Sequence, residues 1–226
     1  MMETTNSGKT KKKVFLITNR KSNDILLNLL KEAPFISEVR IGSPNVIKQF
    51  NELFLSSYDC IIYDIIDSGF LIKIENEDEI KNYIENDGGS FLVTHDQWDN
   101  YQPGGPLNLI GLEYFNHFPW IISNEVKCET HPQKHEIYKS YYDLTNLGVM
   151  KIAPAHKTYH IIKKGGSAKV ILSFIIEKTT NFVHDYLVVN ELGKGRIAYW
   201  AAGHSNTISK DEEKLFLNIV AWLTQY

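Results

Sequence analysis

The chain has 226 residues, 43% hydrophobic, 23% charged and 12% aromatic, and its 24 Lys and Arg against 27 Asp and Glu leave a net charge of −3. At ~100–200 residues per domain this is one large globular unit, not a disordered, collagenous or coiled-coil chain. It is long enough to bury a core without staples. Cys60 and Cys128 stand far apart and outside any Cys-x-x-Cys, which excludes a disulfide framework and a four-cysteine zinc site. The balance of charge lacks the basic excess of a nucleic-acid binder, and no apolar run nears the ~20 residues that span a bilayer. Residues 1–12 read as a disordered polar tail with no secretory apolar segment, residues 13–226 as a single domain, and the cytoplasm is the expected compartment.

In chain order, Val14 to Thr18 is a short continuous apolar run, the pattern of a parallel strand buried on both faces. Ser22 is placed to cap a helix carrying Ile25, Leu26, Leu29, Leu30 and Ala33, which Pro34 ends. Ile36 to Ile41 reads as a second strand. Gly42-Ser43-Pro44 then opens a helix with Val46, Ile47, Phe50, Leu53 and Phe54 on its apolar side. Cys60 to Ile66 is a third strand, and Cys60 reads there as a small buried hydrophobe. Glu75 to Asn86 is a helix with acidic residues in its first turn, stopped by Gly88-Gly89, and Ser90 to Thr94 is a fourth strand. Strands alternating with helices predict an α/β fold, a mainly parallel sheet with helices on both faces.

Residues 96–160 show no clean period and read as an irregular insertion over one sheet edge, with a short helix through Leu107 to Leu112. Tyr159 to Lys163, Ala168 to Ile176 and Val183 to Asn190 are strand candidates, the first two joined as a hairpin through Gly165-Gly166. Leu192-Gly-Lys-Gly195 leads into the run Arg196 to Ala202. Because that Gly-Lys-Gly precedes a strand, it is a hairpin turn and not a phosphate loop. Ser209-x-x-Glu212 is a capping box for a last helix burying Leu215, Phe216, Ile219, Val220 and Leu223.

In an open parallel sheet, ligands gather outside the carboxyl ends of the strands. Thr18, Asn19 and Arg20 follow the first strand, Asp64 lies in the third, and His95, Asp96 and Trp98 follow the fourth. Gly203, His204, Ser205 and Asn206 follow the late one. Two imidazoles and several carboxylates therefore fall at one end of one sheet. An imidazole beside a carboxylate moves protons near neutral pH, and His95, Asp96 and His204 are the candidate catalytic set. Asn19, Asp64, Trp98, Ser205 and Asn206 are candidate ligand-binding residues, with Trp98, Tyr101 and Trp200 offering flat apolar surface. The same imidazoles and carboxylate are a donor set for a divalent metal. No metal or other cofactor is assigned, and the GxGxxG of a dinucleotide site is absent after the first strand. His131 and His135 have a zinc-site spacing, but Pro132 breaks the helix it requires.

The block Gly88 to His95 is similar to the glycine-rich, apolar-strand, His element of the trehalose-utilisation (ThuA-like) proteins. The block Leu192 to His204 resembles their late GKGR, strand, GH element, and Ala221-Trp222 fits their terminal helix. The resemblance runs from Lys13 to Tyr226 and is faint between Trp98 and Ile161. It implies a flavodoxin-like sheet and membership of the class I glutamine amidotransferase-like superfamily. True amidotransferases carry a Cys on the elbow after the strand that here ends at Thr94, where this chain has His95 and Asp96, and a Glu where it has Asn206, with His204 at the position of their catalytic His. A glutamyl thioester needs the thiolate, so glutaminase activity is not expected. The resemblance implies a small polar, sugar-derived ligand. The alternative is a non-catalytic interaction module with a homo-oligomeric or other protein partner. Neither a nucleic acid nor a membrane is expected.

Overall fold

The computed structural model describes residues 10–20, 24–65, 77–94, 112–118, 125–130, 135–146, 149–151, 159–164, 167–175, 183–201 and 208–226. Strand β1 (Lys12–Thr18) lies between β2 (Ile36–Gly42) and β3 (Cys60–Asp64). Beyond β3 come β4 (Ser90–Thr94) and β11 (Gly195–Trp200), all parallel. The sheet continues antiparallel through β10 (Val183–Leu192), β9 (Lys169–Ile175), β6 (Glu125–Thr130) and β7 (Val149–Lys151). Its order among the described residues is therefore β2-β1-β3-β4-β11-β10-β9-β6-β7. β5 (Leu112–Phe118) and β8 (Tyr159–Lys164) form a separate antiparallel pair. This is the flavodoxin-like α/β architecture expected from the sequence, with its antiparallel strands in the second half.

The inner parallel strands β1, β3, β4 and β11 are short apolar runs because they are covered on both faces. Every residue of β3 and β4 is buried. Helix α1 (Ile25–Glu32) touches the last helix, α4 (Lys210–Leu223), which packs on β4 and β11. α2 (Glu52–Leu55) touches α3 (Glu77–Glu85), which also packs on β4 and β11. Right-handed crossovers require this split: β1 to β2 runs one way along the sheet, β2 to β3 and β3 to β4 the other. The direction therefore reverses between β1 and β3, the position where crevices open in such sheets.

The chain departs from the sequence expectations at five places. Asp24 caps α1, its Oδ1 accepting from Leu26 N at 2.8 Å, whereas Ser22 lies outside the described residues. The helix expected through Leu53 and Phe54 is two pieces, a 3₁₀ turn (Pro44–Gln49) and α2. Extended backbone at Phe50 and Asn51 separates them; Asn51 accepts from Phe54 N at 2.9 Å, a cap restarting the chain, and Leu53 is left 82% exposed. Within 96–160 the described stretches include strands: β6 and β7 extend the sheet in its own plane, and Leu112, expected in a helix, opens β5. Period-two alternation in Glu125 to Thr130 was the overlooked signal there. Finally, β8 does not form a hairpin with β9. β8 pairs with β5, while β9 lies between β6 and β10, whose long strands offer it a partner on each side.

The β10–β11 hairpin forms as expected, and its glycines have a tertiary cause. Gly193 has φ +56°, and a Cβ there would sit 2.2 Å from Glu85 O, while Lys194 N donates to that same carbonyl at 2.9 Å. The Gly-Lys-Gly turn thus closes the end of α3. The capping box at Ser209 and Glu212 is present, and Glu212 also accepts from the Tyr186 hydroxyl of β10 at 3.0 Å.

Candidate functional site

The parallel register puts Thr18, Asp64, Thr94 and Trp200 in one row across β1, β3, β4 and β11, at their carboxyl ends. Residues paired across a parallel sheet share a face. Trp200 stacks on Phe216 of α4, centroids 5.7 Å apart, so the row faces the α1 and α4 layer. All four side chains are buried.

Asp64 is the centre of that row. Arg20 Nε donates to its Oδ2 at 2.5 Å and Nη2 to its Oδ1 at 3.0 Å, and the Thr94 hydroxyl donates to the same Oδ1. Arg20 N also donates to Thr18 Oγ1 at 3.0 Å. The paired side chains are 3% and 0% exposed. A buried carboxylate needs such partners, because removing one side of a buried bidentate pair strands the other charge at a cost of about 3–5 kcal/mol. The pair joins β1 to β3 at the point where strand order reverses, and so forms a sealed polar floor there.

Among the described residues, two buried polar atoms around this floor have no hydrogen-bond partner. Asp24 is buried, one carboxylate oxygen spent on capping α1 and Oδ2 left without a hydrogen bond. Burial first, and then the charge of Asp64, raise its pKa above the ordinary carboxylate value, with Arg20 opposing. Trp200 Nε1 is the other.

Of the residues singled out from the sequence, Asp64 sits in this floor and Asn19 is half-buried beside it, between Thr18 and Arg20. His95, Asp96, Trp98, His204, Ser205 and Asn206 lie outside the described residues. The segments that carry them follow Thr94, the end of β4, and Ala201, one residue past the end of the neighbouring parallel strand β11. Trp200, considered as ligand-facing surface, is core. The sequence reading gave no role to Arg20, Thr94 or Asp24. Arg20 stood in plain view after β1, but its pairing with Asp64 spans 44 residues and has no local signature.

Neither cysteine stands at the end of β4. Cys60 opens β3 at the opposite end of the sheet, fully buried, where burial pushes its thiol far above the ordinary value. Cys128 is in β6, four strands from β4 and so roughly 19 Å away at ~4.8 Å per strand. Among the described residues no three His, Cys, Asp or Glu side chains converge as metal ligands, and no helix is long and apolar enough to cross a membrane.

The amino ends of the strands hold a separate crevice of about 810 Å³, lined among others by His135, Lys139, Arg196, Trp222 and Tyr226. Its groups are tied to structure. Arg196 lies 4.7 Å from the Trp222 ring centroid, donates to Trp222 O at 2.6 Å and stands 3.6 Å from Glu136. His135 packs on Trp222, and its Nδ1 accepts from Ile137 N at 3.3 Å, with burial holding the imidazole below its ordinary value. His135 is therefore a turn cap; His131 lies outside the described residues.

No family model matches the chain, and no curated protein does. Solved structures do. A cytoplasmic protein of Salmonella typhimurium LT2 superposes with a TM-score of 0.65 at 14% identity, over 93% of this chain and 98% of that one. A protein of Bacteroides uniformis described as ThuA-like gives 0.63 at 15%, over 97% and 94%. A β-galactosidase of Bacillus circulans gives 0.62 at 13%, over 97% of this chain but 32% of that one. At these identities the likeness is one of fold: the chain is built on the same flavodoxin-like α/β frame as the ThuA-like protein, along nearly the full length of both.

Proposed function

We propose that this chain is a cytoplasmic ThuA-like protein of the class I glutamine amidotransferase-like superfamily. It binds a small polar, carbohydrate-like molecule at the carboxyl ends of its parallel strands and is not a glutaminase. The observation that carries the reading is the buried Arg20–Asp64–Thr94 floor. It fixes the ends of β1, β3 and β4, and in the chain His95 and Asp96 come directly after β4. A rigid floor under polar loops is what a specific site for a hydroxyl-rich ligand requires. On this reading His95, Asp96 and His204, which follow β4 and β11 in the chain, supply both hydrogen bonds and a group able to move a proton near neutral pH. Loss of the thiol at the end of β4 removes the nucleophile that glutamine hydrolysis needs.

The test is calorimetric titration of wild type, His95→Ala and His204→Ala with a panel of neutral and acidic mono- and disaccharides, circular dichroism checking the fold. Wild type is expected to bind, with affinity lost by about tenfold or more in each variant. No binding by wild type, or unchanged binding in both variants, overturns the reading. Repeating the titration with chelator separates a metal-held ligand from a directly held one. Ammonia release from glutamine would refute the exclusion of glutaminase activity.

We carry a non-catalytic interaction module as the second reading; the same fold also occurs as about a third of the longer β-galactosidase chain.

A further inference from the structure

Strand β2 is an edge of the sheet: among the described residues it pairs with β1 alone. Which of its groups face outward follows from β1. Asp59 N donates to Lys13 O at 2.9 Å and Lys13 N to Asp59 Oδ2 at 2.8 Å, so the main chain of Lys13 is turned toward β3. Alternation then turns Val14 and Leu16 toward β2, where they pair with Val39 and Ile41. In a parallel ladder a residue bonds the two residues flanking its partner, so Glu38, Arg40 and Gly42 carry the ladder. The main-chain groups of Val39 and Ile41 therefore point away from the sheet.

Edge strands are commonly guarded by charged side chains, proline or bulges, and this edge carries two charges. Here Glu38 and Arg40 have opposite sign, their side chains 2.5 Å apart on one face. Ile41 is 51% and Leu53 82% exposed. Glu38, Arg40 and Leu53 line one groove of about 520 Å³, with Phe54 and Tyr58 in its wall. Leu53 is thus an unburied apolar side chain next to a self-complementary charge pair and a free strand edge.

We propose that the β2 edge docks a second copy of this chain, β2 against β2, antiparallel about a two-fold axis at Val39. Charge selects this register. Centred on Val39, the outward groups of Val39 bond their own copies, and Glu38 of each protomer faces Arg40 of the other. Centred on Glu38 or Arg40, like charges stand opposite each other, which is unfavourable. Centred on Ile41, neither charge finds a partner. The two-fold also brings both Leu53 grooves alongside the seam, and two sheets become one.

The test is sedimentation of the full chain over about 1–200 µM, with circular dichroism and melting to confirm the fold. Wild type is expected to show a monomer–dimer equilibrium weakened by salt, since the seam charges are exposed. Arg40→Glu puts Glu opposite Glu and should weaken the dimer about tenfold or more. The double variant Glu38→Arg/Arg40→Glu restores opposite charges in exchanged positions and should recover dimerisation. A wild type that stays monomeric throughout overturns the proposal. So does a dimer indifferent to Arg40→Glu, or one lost in the single variant and not recovered in the double.

Discussion

Asp64 illustrates what a single residue can show. A carboxylate at the end of a buried strand was legible as a candidate because loops and strand ends collect polar groups in such sheets. Its chemistry was not legible, because that depends on Arg20 and Thr94 arriving from two other strands. Asp24 carries a prediction at this scale. Burial and Asp64 raise its folded-state value above the ordinary 3.8. The folded chain therefore holds that proton more tightly than the unfolded one. Its contribution to stability is complete below the ordinary value and is lost as pH rises through the raised one. Asn caps a helix as well as Asp and has no charge to bury. Asp24→Asn should therefore gain on wild type as pH rises, the difference in Tm widening between about pH 4 and pH 7. Thermal melts across that range check it, and a difference that stays flat or reverses would show that Asp24 is not penalised by burial.

At the scale of the element, local signals held where the element is capped by its own residues. The Ser209 and Glu212 box was read from four positions and is formed with both reciprocal bonds. Ser209→Ala should cost about 1 kcal/mol, roughly 3 °C in Tm for a chain of this length, measurable by denaturant or thermal unfolding. Wild-type stability in that variant would mean that the Tyr186 bond to Glu212 alone fixes the helix start. Local signals misled where two readings fit one stretch. Val46 to Phe54 has helical apolar spacing, yet Asn51 offers its side chain as a cap and the chain restarts there. The glycines at 165 and 166 suggested a hairpin, but a strand pairs with whatever edge lies beside it. β9 found β6 and β10 instead of β8.

At the scale of the whole molecule, distant segments are joined by few side chains. Asn218 of α4, fully buried, donates to Ile137 O at 2.7 Å and Tyr142 O at 2.9 Å and accepts from Tyr142 N at 2.6 Å. It docks the 135–146 segment onto the helix layer. Asn218→Ala leaves those main-chain groups without partners and should cost about 3 kcal/mol, roughly 9 °C in Tm. Hydrogen exchange should quicken in residues 135–146 before the parallel strands. An unchanged exchange pattern would mean that packing of Ile137 and Tyr138 suffices to hold the segment.

By itself the sequence determined the alternation of strands and helices, the parallel core, the capping box, the β10–β11 turn and the absence of a thiol after β4. Each of these is written in neighbouring residues: apolar runs, a Ser-x-x-Glu, a Gly-Lys-Gly, a missing Cys. Only the tertiary structure decided the strand order, the placement of β6 and β7 in the sheet, and the partners of β8 and β9. It also decided the Arg20–Asp64–Thr94 floor and the outward groups of β2. Those depend on contacts between residues tens of positions apart, and hydrogen bonds and ion pairs of that kind leave no period in the chain.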